Sequence, residues 1–132
     1  MHPIISTGTQ TEWVSCPRRE DFTVDVERAS AMIAEAAPDV LFITSPNNPT
    51  GAVYPPAVVR EIFRLCRERG IALVLYETYR DFLSDAGTRP HDLFGEPDWQ
   101  GTLIELYSFS KSFCVPGHRL GAVIAGEGFL AE

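Results

Sequence analysis

The chain has 132 residues, of which 45% are hydrophobic and 22% are charged, a composition typical of one ordinary globular domain. Its formal net charge of -7 argues against a nucleic-acid partner, because binding phosphates requires a basic face. No apolar run is long enough to cross a bilayer, and the first residues show no basic-then-apolar secretory pattern, so neither membrane insertion nor secretion is expected.

The first half of the chain alternates between short apolar runs and amphipathic stretches. A short strand is predicted over residues 12–16. Asp25 is a plausible N-cap for a helix from Val26 to about Ala37, in which apolar residues recur at helical spacing. Residues 40–43 follow as a buried strand, and the composition of residues 46–51 indicates a loop.

The second half repeats this alternation. A helix is predicted over residues 55–70, because proline is tolerated in a first turn and glycine ends helices well. Residues 71–75 form the next apolar strand, and residues 84–100 are interpreted as a surface loop with a short helix. Two further strands are predicted over residues 102–106 and 120–125.

Strands that are apolar on both faces indicate a sheet that is covered on both sides. The order of the elements therefore predicts an α/β fold with an open, mostly parallel sheet and helices on both faces. In such sheets ligands bind beyond the carboxyl ends of the strands. The residues that directly follow each strand are thus the candidates for function.

Polar side chains follow three of the predicted strands. These candidate residues are Asn48, Tyr76, Tyr79, Ser108, Ser110, Lys111 and Arg119. Hydroxyl groups and a guanidinium suit a phosphate, and a lysine amine can bond covalently to an aldehyde. Amide and hydroxyl donors suit a phenolic oxygen. Pyridoxal phosphate carries all three of these groups.

Three motifs resemble the class I and II pyridoxal-phosphate-dependent aminotransferases. Ser108-Phe109-Ser110-Lys111, with Arg119 eight residues beyond the lysine, looks like the cofactor-lysine signature of that family. Asn48-Pro49-Thr50-Gly51 is similar to its Asn-Pro-Thr-Gly loop, and Tyr79 stands where its conserved tyrosine belongs. Because all three occur in the right order and spacing, together they are more specific than any one of them.

The resemblance implies a fold type I enzyme that moves an amino group between an amino acid and a 2-oxo acid. Lys111 would bind the cofactor aldehyde and act as a general base. Asn48 and Tyr79 would bind the phenolic oxygen, and the phosphate would be held by Ser108, Ser110 and Arg119. Enzymes of this family are usually homodimers, and no nucleic-acid or membrane partner is implied.

The chain departs from the family pattern at Tyr76, which stands where the family has an aspartate that keeps the pyridine nitrogen protonated. A neutral tyrosine offers no countercharge, and Glu77 should point to the opposite face of the strand. The family is also much longer than this chain. The resemblance therefore implies that residues 1–132 form a partial cofactor-binding large domain, without its N-terminal part and without the C-terminal small domain.

Other readings stay open at this point. The chain could be a catalytically impaired or vestigial cofactor-binding module, or part of another fold type I enzyme such as a lyase or decarboxylase. His2, His91 and His118 have no ligand-like spacing and are interpreted as surface residues. Three cysteines without paired or metal-type spacing indicate a reducing, cytoplasmic setting and no bound metal.

Overall fold

Four strands form one open sheet in the computed structural model, which describes residues 11–16, 18–83 and 90–131. In their order across the sheet they are β1 (Val40–Thr44), β2 (Ala72–Tyr76), β3 (Leu103–Ser108) and β4 (Gly121–Ala125). The pairs β1–β2 and β2–β3 are parallel, whereas β4 runs antiparallel to β3. The predicted open, mostly parallel sheet is therefore confirmed, and each of these strands lies within two residues of its predicted position.

The α-helices of the described residues are α1 (Val26–Ala36), α2 (Pro56–Arg69), α3 (Phe109–Ser112) and α4 (Glu127–Leu130), and short 3-10 turns lie between them. The Asp25 carboxylate accepts a hydrogen bond from the backbone N–H of Arg28 at 3.2 Å, which confirms it as the N-cap of α1. Gly70 ends α2 with a φ of 67°, a conformation in which glycine is unstrained. No helix of the described residues is both long and apolar enough to cross a membrane.

The hydrophobic core lies between one face of the sheet and the two long helices. Leu73, Leu75 and Leu103 share that face and are fully buried. They belong to one cluster with the inward side chains of α1 and α2, among them Ile33 and Phe63. On the opposite face Val74 and its neighbours in the sheet are only partly buried.

Two predictions about local structure are wrong. Residues 12–16 do not form a strand; in the described part of this region the backbone pairing is a single bridge between Arg18 and Val24. In the stretch 84–100, of which residues 84–89 lie outside the described structure, the short helix is confirmed as the 3-10 turn Leu93–Gly95, but Leu93 is completely buried, so the stretch is not wholly a surface loop. The stretch is rich in Asp, Gly and Pro, a composition typical of surface loops, and for this reason the burial of Leu93 was not predicted.

His91 is also buried, although the sequence predicted a surface residue; His118 is exposed as predicted, and His2 lies outside the described residues. His91 joins a buried charge cluster with Glu77, Arg80 and Glu105. Its Nε2 lies 3.5 Å from Oε1 of Glu77 and 3.6 Å from Oε2 of Glu105. Arg80 bonds to Glu105, and its Nη1 lies 3.3 Å from Oε2 of Glu77. Two carboxylates that are 1% and 0% exposed thus find cationic partners.

The two glutamates and the histidine could in principle hold a metal ion, since one ligand atom from each lies within 4.8 Å of the others. The hydrogen-bond pattern opposes this. The backbone N–H of Leu93 donates to Nδ1 of His91 at 3.1 Å, which leaves the proton of a neutral imidazole on Nε2. That nitrogen faces the carboxylates as a donor, and the Arg80 guanidinium already pairs with both of them. The geometry favours an ion-pair network.

The network also changes the protonation of His91. Burial by itself lowers the pKa of this imidazole, but hydrogen bonds and charge from Glu105 and Glu77 outweigh burial and raise the pKa from 6.5 to about 9. Protonation of Nδ1 of His91 breaks the hydrogen bond from the Leu93 N–H. A hydrogen bond between neutral groups contributes about 0.5–1.5 kcal/mol to stability, and one to a charged group about 1.5–3 kcal/mol. The interactions with the two carboxylates therefore outweigh the lost bond and favour the protonated imidazole.

We expect the His91 imidazole to titrate near pH 9 in the folded chain and near pH 6.5 in urea, as followed by NMR. Because the folded-state pKa is the higher one, this stabilisation is fully present below pH 6.5 and is lost as the pH rises through 9. His91→Gln should remove that pH dependence from the urea midpoint. A folded-state midpoint at or below 6.5 would contradict the assignment.

Candidate active site

A cavity of about 550 Å³ opens at the carboxyl ends of β1 and β2. Its walls come from two loops and a helix: Pro46, Asn47, Asn48, Pro49, Gly51 and Val53 after β1, Tyr79, Phe82 and Leu83 after β2, and Lys111 in α3. This is the edge of the sheet at which the fold predicts ligand binding. The volume lies within the range of about 300–1,000 Å³ that is usual for small-molecule sites.

The loop after β1 is folded so that its two asparagines face different surroundings. Asn47 is buried, and its Oδ1 accepts a hydrogen bond from the Thr50 hydroxyl at 2.9 Å. The backbone N–H of Gly51 donates to the Asn47 carbonyl at 2.7 Å, and Gly51 has a φ of 71° that favours glycine. Asn48 is left exposed at the cavity. The peptide bonds before Pro46 and Pro49 are cis.

Asn48 and Tyr79 meet at the cavity wall across 31 residues of sequence. The Nδ2 of Asn48 donates to the Tyr79 hydroxyl at 3.2 Å. Because this hydroxyl acts as the acceptor, its own proton can be donated elsewhere. The pair therefore presents N–H and O–H donors to an oxygen that enters the cavity.

Lys111 lines the same cavity from the one-turn helix α3 and is exposed. Ser108 caps this helix, since its Oγ accepts a hydrogen bond from the backbone N–H of Ser110 at 3.3 Å. The structure thus brings three of the predicted site residues to one cavity, namely Asn48, Tyr79 and Lys111. Their roles toward a cofactor stay predictions.

Ser108, Ser110 and Arg119 lie outside the described lining of the cavity but close to the lysine helix in the fold. The backbone N–H of Phe109 donates to the carbonyl of Leu120 at 3.2 Å, which sets the residue after Arg119 beside the start of α3. Arg119 has a φ of 53°, and its Nη1 donates to the Pro116 carbonyl at 3.0 Å. A phosphate role for these residues is consistent with their grouping and remains a prediction.

Tyr76 ends β2 on the face opposite to Glu77, as the alternation of the strand predicts. Its ring is half-buried, with its centroid 6.3 Å from that of Phe42, and it lies outside the described lining of the cavity. The Glu77 carboxylate is committed to the buried charge cluster. Among the described residues at the end of β2, neither Tyr76 nor Glu77 therefore offers a free carboxylate on the face of Tyr76.

A lysine-bearing cavity at the carboxyl edge of a mostly parallel sheet is the ligand-binding position of open α/β proteins. The family model for "Aminotransferase class I and II" matches residues 1–130. The chain belongs to this family, whose cofactor is pyridoxal phosphate.

Relatives and solved structures agree with this assignment. The chain is 44% identical over 130 residues to a histidinol-phosphate aminotransferase from Rhodococcus opacus, covering 98% of this chain and 32% of that protein. A protein of the same name from Streptomyces avermitilis is 40% identical over 126 residues, covering 95% of this chain and 33% of its own length. The chain thus spans about a third of the length of these relatives.

Among solved structures, a probable N-succinyldiaminopimelate aminotransferase from Thermus thermophilus superposes with a TM-score of 0.83 at 29% identity, over 96% of this chain and 33% of that chain. Substrate-bound BacF from Bacillus subtilis gives a TM-score of 0.80 at 26% identity, over 96% and 32%. The fold is therefore that of the fold type I aminotransferases.

β4 begins two residues after Arg119 and lies so close to β3 that its first position, Gly121, requires a glycine. A Cβ on Gly121 would lie 2.9 Å from the Tyr107 carbonyl oxygen. We expect Gly121→Ala to lower the free energy of unfolding by about 1–3 kcal/mol, as overpacking does, measured by urea denaturation. Gly117→Ala is the matched control, because a Cβ there meets nothing within 4 Å and should change stability by less than about 0.5 kcal/mol. Equal effects of the two substitutions would contradict this account.

Proposed function

We propose that this chain is the cofactor-binding part of a pyridoxal-phosphate-dependent transaminase that exchanges an amino group between an amino acid and a 2-oxo acid. The observation that carries the proposal is the convergence of Lys111 with the Asn48–Tyr79 pair on one cavity. Family membership and the names of the relatives support the same activity. The rest of the large domain and the small domain would come from sequence outside these residues.

The residues at the cavity fit the cofactor at two of its groups. The donors of Asn48 and Tyr79 suit the phenolic oxygen, and the Lys111 amine suits the aldehyde. The phosphate would be held by Ser108, Ser110 and the Arg119 guanidinium, next to the lysine helix. Hydroxyl donors with one cation suit a dianion better than a neutral ligand.

Pyridoxal phosphate, when bound, supplies an electron sink that stabilises the carbanion formed at the substrate α-carbon. The chain's own contribution is positioning and proton transfer. Lys111 would take the proton from the substrate α-carbon and hold it for its return, which requires its amine to be neutral in that step. Asn48 and Tyr79 would bind the phenolic oxygen and so keep the cofactor oriented toward Lys111.

The names of the relatives make histidinol phosphate the first substrate to assay with the full-length protein. As in the family generally, that protein is expected to be a cytoplasmic homodimer that acts without nucleic-acid or membrane partners.

A second candidate function is an impaired cofactor-binding module, which the residue at position 76 favours. Tyr76 carries no negative charge near pH 7, so a pyridine nitrogen beside it would lack a countercharge and the ring would be a weaker electron sink. Its bulk also fills space that an aspartate would leave. Both candidate functions predict that the chain binds the cofactor, but only the transaminase predicts efficient turnover of substrate.

Addition of pyridoxal phosphate to the purified chain should produce a visible absorption band. Borohydride should then fix the cofactor on the tryptic peptide that contains Lys111, as identified by mass spectrometry. Lys111→Arg keeps the positive charge but cannot form the covalent bond, so it should give no such adduct. Lys111 is the one lysine of the chain, so the other primary amine is that of the N-terminus. Labelling of the N-terminal amine to the same extent, or an unchanged adduct in Lys111→Arg, would sink the assignment.

Replacing Tyr76 separates the effect of its charge from that of its size. We expect Tyr76→Asp to tighten cofactor binding by roughly tenfold, because it restores a charge-assisted hydrogen bond of about 1.5–3 kcal/mol. Tyr76→Asn provides the smaller side chain without the charge and should give less of this gain. Binding is followed by absorbance titration. Equal affinities of the Asp and Asn variants would assign the defect to bulk alone.

A further inference from the structure

Asp81 links two walls of the cavity without lining it. It lies in the short 3-10 turn Arg80–Phe82 after β2. Its Oδ2 accepts a hydrogen bond from the Ser112 hydroxyl at 2.6 Å and another from the Tyr107 hydroxyl. One carboxylate oxygen thus joins the segment that carries Tyr79 to the end of β3 and to the residue next to Lys111.

The turn that carries Asp81 is itself fixed in place. The Glu77 and Arg80 side chains belong to the buried charge cluster. The backbone N–H of Arg80 donates to the Glu77 carbonyl, and that of Phe82 donates to the Tyr79 carbonyl, both at 3.1 Å. Asp81 is therefore held by a rigid segment and can serve as an anchor for something less rigid.

The lysine helix needs such an anchor. It has four residues, and isolated helices of that length are not stable in water. The Lys111 side chain itself is exposed. Besides the Ser108 cap, the backbone bond from Phe109 to Leu120 and the edge-on contact of the Phe109 ring with Tyr107 at 5.1 Å, the Ser112–Asp81 hydrogen bond ties this helix to the rest of the fold.

The charge of Asp81 suits this role. The hydrogen bond from Ser112, which has the larger effect, and the one from Tyr107 hold the pKa of the carboxyl below its usual range. The carboxyl group therefore stays ionised at neutral pH. An ionised carboxylate accepts both hydroxyl protons through charge-assisted bonds, which are stronger than neutral ones. An amide at this position would keep the shape and lose the charge.

We propose that Asp81 is a positioning residue that holds the Lys111 helix against the Tyr79 segment and so sets where the lysine amine stands in the cavity. Asp81 touches no ligand in this arrangement. Its consequence for the cofactor rests on the function proposed above, whereas its effect on the order of the helix does not.

Hydrogen–deuterium exchange with mass spectrometry tests the structural part. Asp81→Asn should speed exchange in the peptide covering residues 109–114 by roughly tenfold, as expected for loss of a charge-assisted bond. Asp21→Asn is the matched control, because Asp21 also accepts two bonds, from the Thr23 hydroxyl at 2.6 Å and its N–H at 2.9 Å, but within its own turn. It should leave residues 109–114 unchanged.

Ser112→Ala should reproduce part of the effect, and Ser112→Thr, which keeps a hydroxyl, should restore protection. Unchanged exchange over residues 109–114 in Asp81→Asn would overturn the proposal. An equal rise in α1 and α2 would overturn it as well, because Asp81 would then support the whole fold and not this helix.

Borohydride trapping of pyridoxal phosphate tests the functional part. Asp81→Asn should slow trapping at Lys111 several-fold, while Asp21→Asn should not. If the unmodified chain traps no cofactor, the proposed function fails, and the exchange data still decide the role of Asp81. If the unmodified chain traps the cofactor and Asp81→Asn traps it equally fast, the positioning role fails alone.

Discussion

The buried charge cluster is the constraint on which the rest of this structure depends. Glu77 and Glu105 lie in the interior, where an unpaired carboxylate is very costly. They find cationic partners only when Arg80, three residues after Glu77, and His91, from the segment before β3, reach them. Burying these groups therefore fixes how the end of β2, the middle of β3 and the segment before β3 meet.

The cavity inherits its geometry from this cluster. Tyr79 lies between Glu77 and Arg80, so its position follows from theirs, and the hydrogen bond from Asn48 then joins the loop after β1 to the same wall. Asp81 continues the connection to the lysine helix. The helix that carries the exposed Lys111 is thus connected to the core through this chain of contacts.

Strand alternation places Tyr76 and Glu77 on opposite faces of the sheet. Glu77 points inward to the cluster and Tyr76 to the other face, so the two neighbours cannot exchange roles. A carboxylate one residue away is thus no remedy for the missing aspartate. The family relationship and the catalytic competence of the chain are separate matters for this reason, and only the first follows from overall similarity.

The sequence by itself determined the order of the four sheet strands and the two long helices, the family, and the three residues that meet at the cavity. These features arise from local periodicity, caps and fixed motif spacing, which short stretches of chain encode. Only the tertiary structure decided that His91 is buried, that residues 12–16 form no strand, and that Asp81 contacts Ser112. Each of these depends on partners far away in sequence, such as the 31 residues between Asp81 and Ser112, and no local pattern records them.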